Sequence, residues 1–516
     1  MSRARNALIG TTPMSASAAV ATPPVNRAAV ARSAMWSAAE NGGLALISFS
    51  SLIVYSRFLS VSDFGLFSIA LAVIELMTML VAMLFHDALV QREDITELHY
   101  DTAFTVTLGL SALLMALCWV MAPTFALSAG NPVAGPVLLW TSLCLPLTAV
   151  SATIVARQRR NLAFRTLAVR SIVGRSLGAV AGIALVVFGA AFWGLVVQQV
   201  LVVLMGSLVL WVTCDQHPKL RFGWRECREL LAFGTLSVAS LVVNFSTKRT
   251  FIVLAGVGLG THAAGLLNLS FRTIDTFWAL ASTAISQVAL PVMVSIRGDD
   301  ARFARAFQAA SAVACVVLYF CFVLIGSISA ELVELLFGRQ WISIAPFVTL
   351  LSLQVIIQAR RLLMSPVMTA IGRPRDLLLC NLAELIFILG AVTLLGVPSL
   401  PWAIGIWVVR EGLGGAILLW LFRRATGLGA RALLGSSVVP LIGAVALYAV
   451  VWAVRANLVA DWGPLARAAV LAPLGAAVYL TCVFVLDRRL LAELFSFARA
   501  ALKLERARPA PMEAEA

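Results

Sequence analysis

Apolar runs of about 20 residues recur along nearly the whole chain, separated by short polar connectors. A spanning helix needs about 20 apolar residues to cross the hydrocarbon core. Fourteen such segments fit between residues 34 and 486. Apolarity within them is near-continuous rather than alternating. In a bilayer, where every backbone N–H and C=O must be satisfied internally, that pattern reads as helices. Composition agrees: 61% of the 516 residues are apolar and only 12% charged, about half the usual charged share of a soluble domain. Too little polar surface exists to coat a water-soluble core, which excludes a cytosolic enzyme, a secreted disulfide scaffold and a disordered regulator. The expected fold is an all-α polytopic membrane protein.

The net charge of +14 admits two readings, nucleic-acid binding or membrane topology. The distribution decides between them. With an even number of spans both termini share a side, and loops and tails on that side carry 29 Lys+Arg against 4 opposite (Arg57, Arg339, Arg455 and Arg467). The asymmetry predicts cytoplasmic termini and no nucleic-acid partner. Residues 1–33 read as a disordered tail rather than a secretory signal, and 487–516 as a second tail. None of the eight cysteines forms a C-x-x-C pair. Cys214 and Cys227, either side of His217, match no metal spacing, so neither metal nor cofactor is expected. No phosphate-binding glycine loop or nucleophile triad appears, and "GVGLG" at 256–260 lacks a preceding strand. The loops opposite the termini are too short to hold a folded domain, which argues against a membrane glycan polymerase or ligase.

An internal echo occurs at an offset of 200. Leu59, Gly65 and Leu66 fall on Leu259, Gly265 and Leu266, and Ile74-Glu75 falls on Ile274-Asp275. It predicts two six-helix bundles, 34–229 and 230–432, related by an axis along the membrane normal, with two extra helices in 433–486.

Six cations lie within the second-half segments: Lys248, Arg249, Arg272, Arg360, Arg361 and Arg410. At 1.5 Å rise per residue all fall near the midplane, roughly 15 Å from a surface. Each would cost about 2.5–3.5 kcal/mol facing lipid, so they must face partners or a wet cavity. The embedded acids are Glu75, Asp275, Glu384 and Glu411, with Glu40 nearer the cytoplasm. Arg272 and Asp275 have i,i+3 spacing and can pair. Arg410 and Glu411 are adjacent and expected to point apart. Six cations against three acids in the second half leave a positive surplus, which suits an anion gripped by guanidinium. The bland alternative is a set of neutral pairs that only fix packing.

These residues meet a family pattern. "FLSVSDFGLFSIALAVIELMTMLVAMLFHDALVQREDITELHYD" (58–101), "QVALPVMVSIRGDDARFARAF" (287–307), "LFGRQWISIAPFVTLLSL" (336–353) and "AIGRPRD" (370–376) resemble the Wzx-type oligosaccharide flippases. These are polysaccharide transporters of the multidrug/oligosaccharidyl-lipid/polysaccharide exporter superfamily. The resemblance covers roughly 35–490. One departure stands out: Asn244 and Lys248 fit the seventh-helix pattern, but Phe251 occupies its Asp position. The resemblance implies a non-enzymatic, multi-pass transporter of the bacterial inner membrane. It would move a polyprenyl-diphosphate-linked oligosaccharide by alternating access, for exopolysaccharide or lipopolysaccharide biosynthesis. A polysaccharide polymerase and chain-length or export proteins are possible partners. On that reading Lys248, Arg249 and Arg272 bind the diphosphate, and Arg360, Arg361 and Arg410 form a lower cationic shelf. Glu75, Asp275, Glu384 and Glu411 are ion-coupling candidates. The alternatives are a cation-coupled multidrug exporter, a glycan polymerase or ligase, and a non-transporting scaffold.

Overall fold

The computed structural model describes residues 27–490, apart from 233–234, 296–299, 430–432, 434, 436, 460 and 489. The expected tails therefore fall largely outside the described residues. All regular structure among the described residues is helical.

The first half comprises α1 (Arg27–Phe58), α2 (Val61–Met83), α3 (His86–Gln91), α4 (Glu97–Ser128), α5 (Ala134–Ser142), α6 (Cys144–Arg160), α7 (Phe164–Val187), α8 (Trp193–Thr213) and the short α9 (Trp224–Ala232). The second comprises α10 (Thr235–Ser295), α11 (Asp300–Ser327), α12 (Ser329–Leu336), a 3₁₀ turn (Arg339–Ile344), α13 (Ala345–Leu353), α14 (Val355–Ala370), α15 (Pro374–Leu395) and α16 (Leu400–Thr426). Then come α17 (Val438–Asn457) and α18 (Pro464–Leu486). Eleven stretches among the described residues are long and apolar enough to cross a bilayer. They become twelve if Arg339–Leu353 and Val355–Thr369, bent by 45°, form one broken span. The chain is a multi-pass helical membrane protein.

The fourteen segments expected from sequence do not appear as fourteen separate helices. Two of the expected segments are joined in α10, which turns back on itself at Gly260 (φ 86, ψ 173). A positive φ costs glycine nothing, because it has no Cβ. The reversal is visible in what it brings together. Lys248 ion-pairs with Asp275, and the rings of Phe251 and Phe271 lie 6.3 Å apart. In a straight helix 27 residues would span about 40 Å.

The second limb of α10 packs against α2 at a crossing of two glycines. A Cβ on Gly65 would lie 1.7 Å from the Thr261 carbonyl oxygen, and one on Gly265 would lie 2.2 Å from that of Val61. Thr261 and Val61 are themselves 200 positions apart, so the contact is reciprocal at the offset of the sequence echo. Reciprocity of this kind marks an isologous twofold contact. At one end of the crossing the two halves also meet through the 3₁₀ turn. Trp341 Nε1 donates to the Ser56 carbonyl at 2.8 Å, Arg57 donates to the Leu335 and Leu336 carbonyls, and Trp341 meets Phe64 edge to face. Helices α17 and α18 dock on the second half. Tyr479 donates to the Val316 carbonyl at 2.9 Å, and buried Glu331 on α12 holds Arg455 and Arg467.

Candidate functional site

Polar groups enter the interior on α1, α2, α7, α10, α14, α15 and α16, and they line two chambers of about 430 Å³ each that share Asp275. The larger cavity beside α2 and α4, about 500 Å³, is lined by groups such as Met77, Leu117 and Phe125 and holds no charge. The chemistry therefore lies in the polar pair.

The central chamber lies where α1, α2, α7 and α8 face α10. Arg175, Arg249 and Arg272 converge there on Glu75. Arg249 Nε lies 2.7 Å from Glu75 Oε2 in an ion pair without hydrogen-bond geometry, while Arg272 and Arg175 have no carboxylate within ion-pair distance among the described residues. The chamber's other acid, Asp275, is taken by Lys248. Three guanidinium groups against one unshared carboxylate leave the chamber positive. Arg175 Nε and the Tyr55 hydroxyl are buried with no hydrogen-bond partner among the described residues. Orphaned polar atoms of this kind call for a ligand or water.

The second chamber is bounded by α10, α13 to α16 and the break between α13 and α14. Its charges cancel. Arg361 spans Glu384 at 2.6 Å and Glu411 at 2.9 Å, and Arg410 ion-pairs with Glu384 at 2.9 Å and also pairs with Glu411. Two guanidiniums and two carboxylates from three helices thus close a box. Gly414 makes room for it, since a Cβ there would lie 1.9 Å from Glu384 Oε1. Arg410 also stacks on Trp407, 4.0 Å from the ring centroid. Lys248 lies over Phe271 at 4.5 Å.

Several expectations are corrected. Arg410 and Glu411 do not point apart; they pair, because Glu411 must also reach Arg361 and the box draws both inward. Asp275 takes Lys248 rather than Arg272, since the turn at Gly260 brings the two limbs of α10 side by side. The lower cationic shelf of Arg360, Arg361 and Arg410 is not assembled. Arg361 and Arg410 are neutralised, and Arg360 lies beside Tyr319, lining neither chamber. Glu384 and Glu411, expected as ion-coupling groups, are the acids of the closed box, and Glu75 holds Arg249. Phe251, at the family's Asp position, is fully buried against Phe271 and Trp407, so no carboxylate function exists there.

Embedded cations are not confined to the second half, as the sequence suggested. Arg170 and Arg175, two of the 29 basic residues assigned to loops and tails, lie inside α7, which begins at Phe164. The basic run that ends at Arg175 reads as a loop, which conceals its place inside the helix. Arg170 lines a smaller cavity of about 280 Å³ with Glu40, His86 and Arg159. That cavity shares Asn41 with the central chamber. Gln354 was also missed, because an amide in an apolar run carries no charge signal.

Comparison with known proteins bears on this arrangement. A family model described as "Polysaccharide biosynthesis protein" matches residues 54–346. The succinoglycan biosynthesis transport protein ExoT of Rhizobium meliloti is 28% identical over 64% of this chain and 67% of its own length. The lipopolysaccharide biosynthesis protein WzxC of Escherichia coli is 23% identical over 62% of this chain and 65% of its own. The alignments thus span about two thirds of these relatives. Among solved structures, the lipid II flippase MurJ in an inward closed conformation superposes with a TM-score of 0.68 at 13% identity, covering 90% of this chain and 99% of MurJ. That likeness establishes a shared fold.

Proposed function

Since the chain belongs to the polysaccharide biosynthesis protein family matched over residues 54–346, we propose that it is a flippase for a polyprenyl-diphosphate-linked oligosaccharide. It works in the bacterial inner membrane for exopolysaccharide or lipopolysaccharide biosynthesis. One observation carries this reading: Arg272 and Arg175 face a central chamber without a carboxylate of their own among the described residues, beside Arg249. Unpaired guanidiniums at this depth are expensive unless an anion joins them, and a diphosphate fits the bidentate fork of each. The names of the relatives, which refer to succinoglycan transport and lipopolysaccharide biosynthesis, supply the biological class.

The substrate-binding set is therefore Arg175, Arg249 and Arg272, with Lys248 joining when Asp275 releases it. Arg361 and Arg410 brace α14, α15 and α16 instead of binding. Glu75 and Asp275 are the coupling candidates, because neutralising either frees a cation in the chamber. Two bundles, 34–229 and 230–432, rock about the Gly65–Gly265 crossing, both termini lie in the cytoplasm, and the cavity is exposed to each leaflet in turn. With Arg170 and Arg175 moved from the loops into α7, the asymmetry of basic residues is still 27 to 4 and supports the orientation. The test is translocation of a fluorescent lipid-linked oligosaccharide across proteoliposomes. Arg272→Gln should lower the rate at least about tenfold, the loss expected for one charge-assisted contact, while the protein still inserts. Unchanged export by that variant would overturn the assignment.

A further inference from the structure

We propose that the second chamber is the sugar subsite of the transporter, so that a bound substrate straddles Asp275 with its diphosphate in the central chamber and its first sugar against Gln354, Gln358 and Trp278. The inference rests on the flippase reading above and adds to it a division of labour between two cavities.

The two chambers have equal volume but differ in charge. The central one is positive. In the second, Lys248 is matched by Asp275, and Arg361 and Arg410 are matched by Glu384 and Glu411. No net charge remains to attract an anion. What the second chamber offers instead is amides and an aromatic face: Asn244, Gln354, Gln358 and Trp278 all line it. An amide presents both donors and an acceptor, which matches a hydroxyl-rich neutral ligand. The indole of Trp278 gives the C–H face of a sugar ring an apolar surface.

Gln354 supplies an independent observation. It sits at the 45° break between α13 and α14 and is 7% exposed, and its Oε1 has no hydrogen-bond partner among the described residues. A buried amide oxygen left unmade costs about 1–3 kcal/mol. A ligand hydroxyl donating to that oxygen would relieve the cost. Broken helices at midplane commonly form transporter binding sites for the same reason: the break turns polar groups toward the cavity.

The test uses the full chain in nanodiscs with two probes, undecaprenyl diphosphate and its monoglucosyl derivative. Wild-type protein should bind the glucosylated probe at least about tenfold more tightly, as two hydrogen bonds would give. The double variant Gln354→Leu with Gln358→Leu should bind both probes alike, with its affinity for undecaprenyl diphosphate kept. That retained affinity also shows that the variant is folded. Arg272→Gln should do the reverse, weakening both probes and keeping their ratio. Equal binding of the two probes by wild type, or an unchanged ratio in the double variant, would overturn the sugar subsite alone. Failure of wild type to bind undecaprenyl diphosphate would overturn the flippase reading and this inference with it.

Discussion

Asn268 donates a hydrogen bond to the Ser68 hydroxyl, and the two residues stand 200 positions apart, the offset that also relates Gly65 to Gly265. The symmetric crossing thus has a polar link beside its glycine contact. Any Cβ at either glycine meets backbone rather than a movable side chain, so the helices must separate. We expect Gly265→Ala to destabilise the protein by at least the ~1–3 kcal/mol of overpacking, and Ser68→Ala by about 1 kcal/mol. Thermal unfolding in detergent, followed by tryptophan fluorescence, should rank them in that order. Equal effects would mean that the crossing is not tightly held.

Arg272 and Arg361 are both embedded arginines, yet their removal should have different consequences. Taking away Arg361 leaves Glu384 and Glu411 sharing one cation in a buried site, a loss of about 3–5 kcal/mol. Arg272 orphans no carboxylate among the described residues. Arg272→Gln should therefore melt at or above wild type and fail in transport, whereas Arg361→Gln should melt well below it. Melting temperatures and proteoliposome export measured on the same preparations separate the two.

Glu75 limits the positive charge of the central chamber through its 2.7 Å ion pair with Arg249. Glu75→Gln adds one net charge there. The expected outcome is severalfold tighter binding of undecaprenyl diphosphate together with slower export, because release becomes the harder step. A variant that binds and exports like wild type would remove Glu75 from the mechanism.

Outside the spans, Arg225, Arg92 and His99 hold the Glu229 carboxyl at about pH 2, well below its ordinary value. Since the folded value is depressed, this group's stabilisation is present above the unfolded pKa of about 4.3 and is lost as pH falls through about 2. The melting difference between wild type and Glu229→Gln should be constant from pH 8 to about 6. It should shrink progressively below pH 5, as unfolding scans across that range will show.

In Gly414→Ala the new methyl would meet Glu384 Oε1, and the box could not close around Arg361. This should mimic Arg361→Gln in melting while leaving undecaprenyl diphosphate binding at the central chamber within about twofold, since the chamber's own guanidiniums are untouched, an independence expected of separate sites. Ligand binding measured beside thermal unfolding is the check.

The sequence by itself determined that this chain is a bundle of membrane-spanning helices, that cations lie within its apolar spans, and that position 65 answers to position 265. Those properties are local, since the cost of an apolar or charged side chain in hydrocarbon depends on that side chain alone. Which cation meets which acid was decided by tertiary structure. Arg361 finds its carboxylates 23 and 50 residues away on two other helices, Lys248 finds Asp275 because Gly260 reverses the chain, and Arg175 enters the chamber because α7 starts earlier than its basic run suggests. Burial makes neutralisation obligatory, but the partner is chosen by how helices distant in sequence are brought side by side.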